Sequence, residues 1–227
     1  VDNMLLENTR IHCIGSSHVC IFTGTDKLFG GIDHSYDTLT YFKTYQLGAV
    51  LAYSIGTPGH SMYNLIHEII RNISKDQWIL LCFGEIDCRA HLIKQKEIQN
   101  RTIESVTEEC TNKYFSTISE LKDQGNNLII WGAIPTYDID VDKDSTEPLA
   151  KIEYPYYGTA KERNYATKYF NDLLEKYCNE KDIKFGSIFD DLINSNGLRK
   201  NEYFLDAIHL STKALPLIID KISNLLK

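Results

Sequence analysis

Two stretches of the chain, "DQWILLCFG" (76–84) and "LIIWGAI" (128–134), are apolar almost without a break and too short for buried helices. A strand of that composition needs apolar cover on both faces, which a parallel sheet between two helical layers supplies. Arg10 to Ile14 reads as a first strand and "IKFGSIF" (183–189) as a last one. Between them lie helical patterns at His60 to Asn72, Ile103 to Lys122, Lys161 to Asn179 and Thr212 to Leu226, the last with Pro216 in its first turn. The expected fold is α/β, a three-layer α/β/α sandwich around a central parallel sheet of about five strands. All 227 residues, 43% of them hydrophobic, fit a single domain spanning 1–227. Residues 135–157, tyrosine-rich and acidic, are too long for a plain connection, so they read as either cover for a site or a surface excursion.

A net charge of −7 argues against a phosphate-binding surface, so no nucleic-acid partner is expected. No apolar run is long enough to span a membrane. The six cysteines form no C-x-x-C pair and read as buried, reduced thiols, and a cytoplasmic location is expected. Scattered histidines and the absence of an H-x-x-x-H pair lead to the expectation of no metal and no bound cofactor. Beginning at Val1 instead of methionine, the sequence is compatible with an excised domain or a processed form of a protein with flanking domains.

The first strand runs into "GSSH" (15–18). In an open parallel sheet the carboxyl ends of the strands line the ligand crevice, and a serine there stands beside free helix-terminal N–H groups. Helix capping by serine accounts for the same residues without chemistry. A nucleophilic serine needs a base and a carboxylate, and "YFLDAIHLS" (203–211) supplies Asp206 and His209 three residues apart, just ahead of the final helix. No G-x-S-x-G elbow and no phosphate-binding P-loop motif is present.

Together the strand-ending G-S-S-H, a G-E-I-D (84–87) after a middle strand and the D-x-x-H before the last helix resemble the SGNH, or GDSL-type, hydrolase superfamily over nearly the whole chain. The resemblance implies an SGNH-hydrolase or flavodoxin-like sandwich. It assigns Ser17 as nucleophile, His209 as base and Asp206 as its carboxylate partner. It also implies an oxyanion hole formed by the N–H groups of Ser17 and a second-block glycine, for which Gly48 is the candidate, with Gly56 and Gly59 as rivals. One departure stands out: the third block of the family carries an asparagine that donates to the oxyanion, where this chain has Ile86. Arg89 is the expected substitute, as an oxyanion stabiliser or a substrate grip, and a structural Arg-carboxylate pair is the alternative. His18 is expected to pack or cap, His91 to be solvated, and Arg163 and Asn171 to be scaffold. Tyr137, Tyr154, Tyr156 and Tyr157 offer faces suited to sugar rings.

The expected function is serine-dependent hydrolysis of acyl esters, with a short acyl group such as acetyl on a carbohydrate or small molecule. The alternatives are a sugar O-acetyltransferase with the same three residues, drawing on a donor such as acetyl-CoA, and a catalytically silent carbohydrate-binding domain.

Overall fold

In a computed structural model, which describes residues 9–139 and 156–227, five parallel strands form one sheet. They are β1 (Ile11–Gly15), β2 (Phe42–Gln46), β3 (Trp78–Cys82), β4 (Asn127–Trp131) and β5 (Lys184–Gly186), in the order β2-β1-β3-β4-β5. The helices are α1 (Ala52–Ile55), α2 (Ser61–Arg71), α3 (Leu92–Ile98), α4 (Ile103–Asp123), α5 (Ala160–Glu180) and α6 (Leu215–Leu225). The sandwich expected from the apolar runs is therefore the one observed. β2 was not foreseen: Phe42, Thr44 and Gln46 are buried while Lys43 and Tyr45 are half-buried, so this edge strand alternates where its neighbour β1 is buried throughout. Expected helix limits agree to within a residue or two, except that the last begins as a 3₁₀ turn (Thr212–Ala214). Tyr154 and most of the long acidic loop lie outside the described residues.

Alternation within the strands divides the core into two. Ile79 and Leu81 of β3 face α1, α2, α4 and α5, through Ile55, Ile70, Tyr114, Ile118 and Phe170. Leu80 and Cys82 face the opposite layer, formed by the 3₁₀ helix Ser17–Thr23 and by Ile218 and Ile222 of α6. All six cysteines are buried and unpaired. Among the described residues no helix is long and apolar enough to cross a membrane.

The strand order reverses at β1, and the loops after β1 and β3 separate there to open a crevice at the carboxyl edge. Ser17 follows β1 and Glu85 follows β3. α5 is fixed at its start by a capping box in which Thr159 and Glu162 satisfy each other's backbone N–H. From its middle, Asn171 donates to Ala133 O and accepts from Ala133 N, both at 2.8 Å, pinning the chain that leaves β4.

Gly56 follows α1 at a point where that helix meets the backbone of α4. A Cβ there would lie 2.2 Å from the Lys113 carbonyl carbon and 2.3 Å from its oxygen. Gly56→Ala is therefore expected to cost about 1–3 kcal/mol through overpacking. Gly30→Ala, whose Cβ meets nothing within 4 Å, serves as the control. Urea titration of the pair checks the difference; equal midpoints would contradict the close approach.

Candidate active site

Ser17 opens the 3₁₀ helix directly after β1, preceded by Ser16 in extended conformation. The Ser16 side chain makes no capping bond, so capping does not account for this pair of serines. Instead Ser17 Oγ lies 2.9 Å from His209 Nε2, across 192 residues of sequence. His209 Nδ1 lies 2.9 Å from Asp206 Oδ2, while Asp206 Oδ1 accepts from the backbone N–H of Ile208 at 2.6 Å and of His209 at 2.7 Å. Serine, imidazole and carboxylate thus form one hydrogen-bonded row. A carboxylate on Nδ1 places that nitrogen's proton and leaves the Nε2 lone pair toward Ser17.

The electrostatics fit a neutral base. Burial depresses the His209 pKa and neighbouring His18 lowers it further; Asp206 pulls it up without cancelling these, and the net shift is downward. For Asp206, burial acts upward, but the hydrogen bonds from His209 and Ile208 outweigh it and hold the carboxyl below its ordinary value.

The segment carrying Asp206 and His209 is braced from behind. Arg199 donates through Nη1 to Ala207 O at 2.9 Å and through Nη2 to Asp206 O at 3.2 Å. Its guanidinium lies over the rings of Tyr137 and Phe204, at 4.5 and 4.0 Å. Tyr156 adds a second donor to Ala207 O at 2.7 Å, and its ring is flanked by Arg89 and Arg163. This corrects the reading of these tyrosines as sugar-stacking faces: Tyr137 and Tyr156 stack on arginines, and Tyr156 is buried. Arg163 is scaffold, donating to the carbonyls of Tyr137, Tyr157, Gly158 and Ile139. Neither Arg199 nor Tyr156 was singled out from sequence as bracing Asp206 and His209, because the contacts that reveal it bridge distant segments.

After β3, Glu85 and Asp87 take different parts. Asp87, fully buried, accepts from the N–H groups of Ala52 at 2.7 Å and Tyr53 at 3.2 Å, tying the β3 end to α1. Glu85 accepts from Arg89 Nε at 2.8 Å and Nη2 at 3.3 Å, and meets His18 Nε2 at 2.8 Å. The His18 ring in turn lies tilted against that of His209, centroids 5.3 Å apart. Arg89 therefore compensates the buried carboxylate of Glu85, the structural pairing weighed from sequence. His18, expected only to pack, is the nearer group. His91 lines a separate recess with Tyr53, Gln95, Arg101 and Glu109.

Gly48 also departs from expectation. It follows β2 with φ of 86°, but its N–H donates to Gln46 Oε1 at 2.9 Å and is not open to a ligand. Of its rivals, Gly56 packs on α4 and Gly59 turns the chain ahead of α2.

A recess with room for about 20 Å³ beside Ser16 and His18 is walled by Ile21, Phe83, Glu85, Trp131, Ile134 and Leu210. A smaller one, holding Ser17 and His209, is rimmed by Leu28 and Leu205, two of the exposed large apolar residues.

No protein-family model matches the sequence, and no curated protein matches it. Solved structures do. A GDSL-like lipase from Bacteroides thetaiotaomicron superimposes with a TM-score of 0.62 at 10% identity, over 97% of this chain and 88% of that one. An acetylxylan esterase from Geobacillus stearothermophilus, solved as a catalytic mutant, gives 0.55 at 11% identity, over 96% and 94%. The fold is that of the SGNH hydrolases.

After β3 this chain buries an acidic side chain against His18, and the charge is held by strong compensation. Burial alone pushes Glu85 upward, yet Arg89 and His18 together outweigh it and hold the carboxyl at about 2. A carboxyl so depressed contributes stability that is present above its unfolded value of about 4.5 and is lost as pH falls toward 2. The size is roughly 3 kcal/mol. Glu85→Gln is expected to cost about 3–5 kcal/mol at pH 7, because Arg89 is left buried against a neutral amide. Urea unfolding of both proteins from pH 7 to 3 should show their difference shrinking as pH falls. A constant difference would mean that the Glu85 charge is not the stabilising element.

Proposed function

We propose that the protein is a serine-dependent ester hydrolase acting on neutral esters of short acyl groups, acetyl foremost, carried by a carbohydrate or another small alcohol. The observation that carries this reading is the continuous row from Ser17 Oγ through His209 to Asp206, with both links at 2.9 Å. His209 takes the Ser17 proton as Oγ bonds to the ester carbonyl carbon, and Asp206 stabilises the resulting imidazolium. His209 then returns the proton to the departing alcohol, and water releases the acid by the same route in reverse.

The substrate class is supported by the surroundings of Ser17. The adjoining recesses are largely apolar and small, suited to a compact acyl group. The charged side chains nearby are already engaged, Glu85 by Arg89, Asp206 by His209 and Asp26 by Thr212, which favours an uncharged ligand. The esterases with the same fold include one whose description names acetylxylan, and this supports a sugar as the alcohol.

Hydrolysis of p-nitrophenyl acetate, with fluorophosphonate labelling at Ser17, tests the reading. Ser17→Ala should lower kcat by about three orders of magnitude or more and abolish labelling while leaving thermal unfolding unchanged. Wild-type protein that neither turns over nor labels would refute the assignment. Because the His209 pKa is depressed and its neutral form is the base, the acid limb of kcat/KM should have its midpoint below the ordinary histidine value of 6.5. A midpoint at or above 6.5 would show that His209 is not held neutral in the free enzyme.

A further inference from the structure

An oxyanion on the Ser17 adduct needs donors, and two of those expected are missing: Ile86 has none to offer, and the Gly48 N–H is spent on Gln46. The partner that takes the Gly48 N–H carries a donor of its own. Gln46 Oε1 accepts from Gly48 N at 2.9 Å and from Gly31 N at 3.0 Å. Two backbone N–H groups converging on one atom identify that atom as the carboxamide oxygen, which fixes the orientation of the amide. Its Nε2 is therefore directed away from both glycines. None of the described residues accepts a hydrogen bond from it, although Gln46 is only 6% exposed. Nε2 is not sealed from solvent, so it is placed to meet water or a ligand.

Its place in the fold puts it beside the nucleophile. Gln46 is the last residue of β2 and pairs in register with Gly15, two residues before Ser17. By strand alternation its side chain shares a face with Phe42 and Thr44. That face is the one covered by the 3₁₀ helix that Ser17 begins, as the edge-on contact of Phe42 with Phe22 at 5.2 Å shows.

We propose that the Gln46 side-chain amide is the oxyanion donor that Ile86 cannot be, with the Ser17 backbone N–H as its companion. This rests on the ester-hydrolase reading above. As Ser17 Oγ bonds to the carbonyl carbon, the carbonyl π pair moves onto oxygen, and that oxygen takes the hydrogen bond from Nε2. Gly31 and Gly48 act through Gln46: by holding Oε1 they pre-orient the donor and polarise it, so no reorganisation is needed when charge develops.

The test is Gln46→Glu, which keeps an oxygen for both glycine N–H groups and replaces the donor with a second acceptor. In the p-nitrophenyl acetate assay kcat should fall by about a hundredfold to a thousandfold. KM should change by less than about threefold. Inhibition by a trifluoromethyl ketone, which forms an oxyanion on Ser17, should weaken by the same factor as kcat, a correlation that a purely structural role would not produce. If the glutamate variant fails to fold, Gln46→Met is read in the same way. Undiminished kcat in a folded variant, with Ser17-dependent turnover intact in the wild type, overturns the role of Gln46 alone. Absence of Ser17-dependent turnover in the wild type overturns the hydrolase reading and this one with it.

Discussion

The site depends on one carboxylate that serves the backbone and the chemistry at once. Asp206 Oδ1 holds the N–H groups of Ile208 and His209, which bends the chain into the turn that aims the imidazole. Its other oxygen takes Nδ1 of that same ring, setting the tautomer whose free lone pair faces Ser17. The turn is short and Asp206 is partly exposed, so the geometry could not be maintained by local bonds alone. Arg199 and Tyr156 supply the rest by gripping the carbonyls of Asp206 and Ala207 from behind. A guanidinium lying over two aromatic rings is well suited to this: its plane is fixed by the rings, so its donors are pre-aimed.

How much of this the sequence announced depends on the range of each interaction. Strands buried on both faces write themselves as unbroken apolar runs, and β3 and β4 could be read that way, whereas β1, with His12, and edge strand β5, with Lys184, were read from shorter apolar segments. β2 could not be read, because an edge strand needs apolar residues only on the covered side, and Lys43 and Tyr45 dilute the pattern. The Asp206–His209 link spans three residues and was visible as a spacing. The link from His209 to Ser17 spans 192, and only the rule that strand ends share one edge of a parallel sheet made it foreseeable. An Arg89–carboxylate pair was legible, with Glu85 and Asp87 both open as the partner; that His18 completes it was not, since 67 residues separate it from Glu85.

The misread residues share a physical cause. Tyr137 and Tyr156 were judged by the chemistry of an exposed aromatic face, but each ring lies against a guanidinium contributed by another part of the chain. Gly48 was judged by its conformational freedom, and it does adopt φ of 86°, yet the nearest strong acceptor took its N–H. In each case the residue type allowed the expected role, and a long-range partner decided otherwise.

A buried glutamate in contact with His18, the residue after Ser17, looks costly. It is tolerable because Glu85 does not act as a free charge: Arg89 engages both of its oxygens, His18 meets one of them, and the carboxyl titrates near 2. The ion pair presents little net charge to the cleft while fixing the His18 ring that lies tilted against His209. Rigid, internally neutral walls of this kind suit chemistry in which the charge arises only in the transition state.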